Sequence, residues 1–313
     1  REVDLSGWPG SLREVDLSRN AIRILTAAPG QWRGLARLDL RENRLESLEY
    51  LGGLEGLRHL DLSSNRLEEI DAAYYDCPLE HLNVSDNPRL YAGDDRGPNL
   101  GSCRTLRTAE MERTGMKAAP AVPPALVRLH LNNNRLRSVD DLLAAAEDGE
   151  PPECQLRELH LKGNALAQLP SSAFWSRLPH LTALDVRNND LETLPAALGH
   201  IGPLRRLLLE GNPYRAIRTS LVDDVAKLKT TLRHKCEFRP APGMEHLFLP
   251  AEGDDGDGDA GASASRPGGG GTEDRYRRMV LDACATGTLE LKPGEHASVP
   301  PALLEALSRR EGE

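Results

Sequence analysis

Four of the chain's nine histidines pair by position, His59 with His81 and His130 with His160. Imidazoles beside a carboxylate such as Asp61 are donors that suit zinc. Around them stand the acids Asp16, Asp39, Asp61 and Asp185 and the cations Arg37, Arg107 and Arg128. Groups of both signs on one surface suit protein recognition. A metal reading fares worse, because histidine on a solvated sheet face is ordinary and Asp61 has no outer partner in view. No metal and no cofactor are expected. Covalent chemistry has no foothold either: G-x-S-x-G, G-x-x-x-x-G-K, H-E-x-x-H and C-x-x-C are all missing. The glycine run at 268–271 lacks a following lysine. Cys77, Cys103, Cys154, Cys236 and Cys284 are odd in number and not closely spaced, which argues against a disulfide scaffold and fits a reducing compartment. The expectation is a protein without catalytic residues.

What would position those side chains is written in the leucines. The 313 residues contain 52 leucines against 5 isoleucines and 3 phenylalanines. An ordinary core mixes shapes, so this dependence on one side chain points to one environment filled repeatedly. The string L-x-x-L-x-L-x-x-N-x-L starts at Leu12, Leu35, Leu57, Leu79, Leu126, Leu156, Leu181 and Leu204. The long step between Leu79 and Leu126 needs a degenerate copy, and Cys103-x-x-Leu106-x-Thr108 is the one chosen. That gives about nine repeats over 1–213, one of them degenerate near 103–113, with a further fragment at Val3-Asp4-Leu5. Alternate leucines read as a short strand facing inward. Lining the copies up places Asp16, Asp39, Asp61, Arg107, His130, His160 and Asp185 between the two strand leucines. Arg37, His59, His81 and Arg128 precede the second leucine. Both files are expected to be exposed, so substitutions at Asp16, Asp39 and Asp61 should leave stability nearly unchanged.

The pattern resembles the leucine-rich repeat family, over residues 1–213. The resemblance implies an α/β solenoid with a curved parallel sheet on the concave face and short helical or 3-10 segments on the convex face. It also implies a ladder of buried asparagine amides bonded to neighbouring backbone, and binding on the concave strands. Periods of 22–25 residues without cysteine-rich caps look like intracellular members, so a cytoplasmic and possibly nuclear location is expected. Glycine- and proline-rich insertions fall at 91–102 and 144–154.

Beyond the array, Ile217, Leu221, Val225, Leu228 and Leu232 fall at helical spacing, predicting a C-terminal capping helix within 214–240. Residues 241–272 read as a disordered acidic and glycine-rich linker. Leu289-Glu290-Leu291 and the Val299–Leu307 stretch read as the start of a second repeat block over 273–313. The run Gly211-Asn212-Pro213-Tyr214-Arg215-Ala216-Ile217-Arg218 is similar to the junction of two-block intracellular members. A start at Arg1 without methionine is expected to mean part of a longer product. A net charge of −9 and scattered aromatics exclude a nucleic-acid groove, and no apolar run is long enough to span a membrane. The expected function is a monomeric, non-catalytic scaffold that binds protein partners on the concave face. The alternative is a regulatory or targeting subunit of an intracellular signalling enzyme of a phosphatase or small-GTPase pathway.

Overall fold

Eleven strands of three residues each order the chain. They are β1 (Glu2–Asp4), β2 (Glu14–Asp16), β3 (Ile24–Thr26), β4 (Arg37–Asp39), β5 (His59–Asp61), β6 (His81–Asn83), β7 (Thr108–Glu110), β8 (Arg128–His130), β9 (Glu158–His160), β10 (Ala183–Asp185) and β11 (Arg206–Leu208). They belong to a computed structural model that describes residues 2–26, 30, 32–48, 54–70, 77–93, 97–143, 153–215 and 224–234. Nine of them form one parallel sheet in the order β2-β4-β5-β6-β7-β8-β9-β10-β11. In each strand of this sheet the central residue is buried, and its two neighbours lie on the other face. Leu38, Leu60, Leu82, Leu129, Leu159, Leu184 and Leu207 stack in register down the core.

Two register expectations need correction. The Val3-Asp4-Leu5 fragment is a strand, but β1 pairs in parallel with β3 in a separate two-stranded sheet. Only 12 residues separate Val3 from Val15, too few for a full turn of solenoid, so the first strand cannot stack beside β2. The degenerate repeat is offset by three residues. His81 pairs with Thr108, Leu82 with Ala109 and Asn83 with Glu110. The repeat is therefore Leu106-x-x-Ala109-x-Met111-x-x-Thr114-x-Met116, with all five side chains fully buried.

The turn after each strand is held by the expected amides. Asn65 Nδ2 donates to Leu40 O (2.9 Å) and Leu62 O (3.0 Å), while its Oδ1 accepts from Leu45 N (3.0 Å). Asn87, Asn134 and Asn189 repeat this linkage to their own and the preceding repeat. In the degenerate copy Thr114 takes the asparagine position, and its single hydroxyl hydrogen faces two acceptors, Asn134 Oδ1 (3.0 Å) and Met111 O (3.3 Å). The residue just before this position is left-handed in all nine repeats. Arg19, Glu42, Ser64, Asp86, Arg113, Asn133 and Asn188 have φ between 52° and 61°, and Gly163 and Gly211 have 69° and 76°.

Short segments cover the opposite side of the core: 3-10 turns at Asp140–Leu143 and Ala196–Gly199, and α1 (Ser172–Trp175). Trp175 is fully buried with its indole N–H donating to Pro170 O (2.9 Å), so core filling is its role. At the C-terminal end α2 (Val225–Arg233) packs on the Ala196–Gly199 turn. Asp224 caps it by accepting from Lys227 N (3.0 Å), and Leu228 and Leu232 are buried. A Cβ at Gly199 would sit 2.6 Å from Lys229 O, so only glycine lets the helix approach this closely. Lys229 is buried as well, and its ammonium donates to Ile201 O (2.6 Å), Gly202 O (3.1 Å) and Leu204 O (3.1 Å). The remainder of the expected capping segment, the linker at 241–272 and the second block at 273–313 lie outside the described residues. Among the described residues no helix is long and apolar enough to cross a membrane.

Candidate functional site on the concave sheet face

Strand alternation places two files of side chains on the face opposite the leucines. The first runs Glu14, Arg37, His59, His81, Thr108, Arg128, Glu158, Ala183, Arg206. The second runs Asp16, Asp39, Asp61, Asn83, Glu110, His130, His160, Asp185, Leu208. Ten of the eleven sequence-selected residues lie where the alignment put them. Arg107 does not: it precedes β7, its backbone N–H donates to Glu80 O (2.9 Å), and Glu110 occupies the position assigned to it. Thr108 and Glu110 are therefore the two face residues that the sequence alignment missed. Met111 and Met116 standing at leucine spacing after Ala109 were the available signal, obscured because neither is leucine.

The acidic file is less free than expected. Asp16, Asp39, Asp61 and Asp185 each accept a hydrogen bond from the backbone N–H two residues on, at 2.9–3.1 Å. Asn83 makes the same turn with Ser85 N (3.0 Å). Asp39 and Asp185 are only 7% and 3% exposed, which corrects the expectation that this file is simply solvated. The Ser18 hydroxyl and amide hold the Asp16 carboxyl below the usual carboxylate range. Burial pushes Asp185 up, but the bidentate Arg187 guanidinium (2.9 and 2.7 Å) and amide carry it below that range. These acids finish the strand-to-turn corner as well as presenting charge.

Both histidine pairs meet. The rings of His59 and His81 stack with centroids 4.6 Å apart and planes 9° apart. Those of His130 and His160 are 4.4 Å apart at 23°. The carboxylate beside the first pair is Glu80, not Asp61, and beside the second is Glu158; in each trio all donor atoms lie within 4.8 Å of one another. Burial, and then the neighbouring His59, lower the His81 pKa. Burial and His130 lower that of His160. Glu112 approaches His130 Nδ1 at 3.6 Å and accepts from Asn132 Nδ2 (2.8 Å), contacts that keep its carboxyl below the usual range.

A hollow of about 220 Å³ crosses β4 to β7, with Arg37, His59 and His81 on one side and Asp39, Asp61 and Glu110 on the other. A second hollow, of about 310 Å³, lies beside it against Glu14, Asp16 and Arg41. Both are open and lined largely by charged and polar side chains.

Comparison with known proteins agrees with the repeat. Residues 10–67, 33–88 and 154–213 match the family model described as "Leucine rich repeat". Mouse podocan is 32% identical over 133 residues, covering 40% of this chain and 19% of that protein. The orangutan (Pongo abelii) transforming growth factor beta activator LRRC32 is 31% identical over 221 residues, covering 65% of this chain and 28% of that protein. The chain thus spans less than a third of the length of these curated relatives. The crystal structure of human 5T4, a trophoblast glycoprotein, aligns with TM-score 0.46 and 22% identity over 73% of this chain and 85% of that one. The matched segments, residues 10–88 and 154–213, are similar to leucine-rich repeats, and the strand ladder that runs through them has the fold of a leucine-rich repeat solenoid.

Proposed function

We propose that the array is a non-catalytic scaffold whose concave face binds a protein partner. Leucine-rich repeat proteins generally mediate protein–protein contact, and the support for the face is the paired files across β4 to β7. There Arg37, His59 and His81 stand beside Asp39, Asp61 and Glu110. Opposed signs in adjacent files fix the register of an incoming charged segment and reject like-charged ones. Arg37, Arg128 and Arg206 are exposed in the first file, and their backbones serve only the ladder, so they can be changed without touching the core. A location inside the cell is part of the same reading, supported by Cys154, a buried cysteine outside any disulfide.

Affinity capture with the full chain, followed by mass spectrometry, tests the proposal against a variant carrying Arg37→Glu and Arg128→Glu. The bound set should be lost from the variant and retained by one carrying charge reversals outside the two strand files, at the exposed Arg104 and Lys117. Retention by the concave variant would refute the face.

A further inference from the structure

We infer that His130, Glu158 and His160 form a binding site for a divalent transition-metal ion of the zinc class, beyond the partner-binding role of the face. β8 and β9 pair in register, so His130 lies beside His160 in one file, and Glu158 precedes His160 by two residues on the same strand face. Two imidazoles and a carboxylate are the borderline donor set that zinc prefers. Their ligand atoms lie within 4.8 Å of one another, and His160 Nε2 is already 3.6 Å from Glu158 Oε2. Donors around a tetrahedral zinc, with bonds of about 2.0–2.1 Å, stand about 3.4 Å apart. The rings stand stacked, 4.4 Å apart with planes 23° apart, so binding requires them to swing about their side-chain torsions until both nitrogens face one ion, a movement of side chains and not of the strands. His160 Nε2 is buried and makes no hydrogen bond, so a donor pair is left for a ligand to take.

Carboxylates and guanidinium groups around the trio balance, with two of the three guanidinium groups engaged by acids next to the site. Glu112 stands 3.6 Å from His130 Nδ1 on one side, and Asp185 pairs with His160 in register on the other. The cations facing the site are Arg128, opposite Glu158 in register, Arg113 against Glu112, and Arg187, committed to Asp185. The other trio, His59, Glu80 and His81, is a poorer candidate. Its only carboxylate is already held by Arg58 at 2.5 Å. Three protein donors leave a coordination position open toward the concave face.

Titration calorimetry with zinc chloride, and visible spectroscopy with cobalt(II), test this on the full chain. One zinc per chain is expected, with the d–d absorption of a four-coordinate cobalt ion. Glu158→Gln, which preserves the side-chain shape, should weaken binding at least about tenfold. His130→Ala with His160→Ala should abolish both signals while circular dichroism shows the sheet intact, and His59→Ala with His81→Ala should change neither. Absence of zinc binding, or binding retained in the His130/His160 variant, or lost only in the His59/His81 variant, would overturn the site.

Discussion

Asn65 makes bonds to two repeats at once, and that double duty sets its importance. Its loss would leave Leu45 N, Leu40 O and Leu62 O buried without these partners. Each unsatisfied group costs roughly 1–3 kcal/mol, less whatever water can enter to replace the bond. Asn65→Ala is expected to destabilise the array by about 2–4 kcal/mol, read from the urea midpoint; a change under about 0.5 kcal/mol would deny the amide its role. Gly211 makes the sharper steric case. A Cβ there would sit 2.1 Å from Asn188 Oδ1, on a backbone with φ of 76°. Gly211→Val is expected to lower the melting temperature clearly more than Gly7→Val, where no atom lies within 4 Å of the added carbon. Asparagine at the turn was legible in the sequence because its spacing is invariant across eight copies. The left-handed residue before it was not, since arginine, glutamate, serine, aspartate and asparagine fill seven of the nine positions and glycine only two.

Among the elements, the paired strands β5 and β6 carry a pH dependence. Burial first, then the charge of His59 and of Arg128, hold His81 below its ordinary value of 6.5. The unfolded chain therefore takes up a proton that the folded chain resists. Stability is fully present above pH 6.5 and falls as pH drops through the lower folded-state value. The urea midpoint should decrease between about pH 7.5 and 5.5, and His81→Gln should make that decrease smaller; an equal slope in both proteins would exclude this histidine as a source. In α2, Lys229 performs the work of a cap. Burial, then Arg233 and Arg205, push its pKa down to about 8, while three carbonyls bind the ammonium. Lys229→Met should leave those carbonyls short of donors and accelerate hydrogen exchange in β11; unchanged exchange would mean that Leu228 and Leu232 alone seal the end. Helical spacing made the helix and its apolar residues readable. No pattern announces a buried lysine, because only the approach of the neighbouring turn supplies its acceptors.

Across the whole molecule each repeat touches its neighbours and little else, so perturbations should stay local. In Asn65→Ala, hydrogen exchange should rise in β4 to β6 and remain unchanged in β10 and β11; uniform acceleration would show that the array unfolds as one unit. The same regularity explains how far the sequence could be read. Eight near-identical copies averaged out local ambiguity, so strand order and nearly every concave residue followed from counting. The reading slipped at Thr108 and Glu110, where methionine, alanine and threonine replace the usual residues and the step from Leu79 stretches to 27 residues. It also took Asp39 and Asp185 for surface charges, because burial depends on the corner that each carboxylate closes. Those corners have one more consequence. Seven of the nine hold a side chain where glycine would be relaxed, each such residue storing roughly 1–2 kcal/mol of backbone strain. The edge of the solenoid is thus a row of display positions held under tension, occupied in part by the ion pairs Arg19 with Glu42 and Arg113 with Asp86. Stability could be tuned along it one corner at a time. Glycine at Ser64 and at Asn133, three strands apart, should each relieve that strain, offset by a freer unfolded chain, so the shifts in the urea midpoint should be small and add independently.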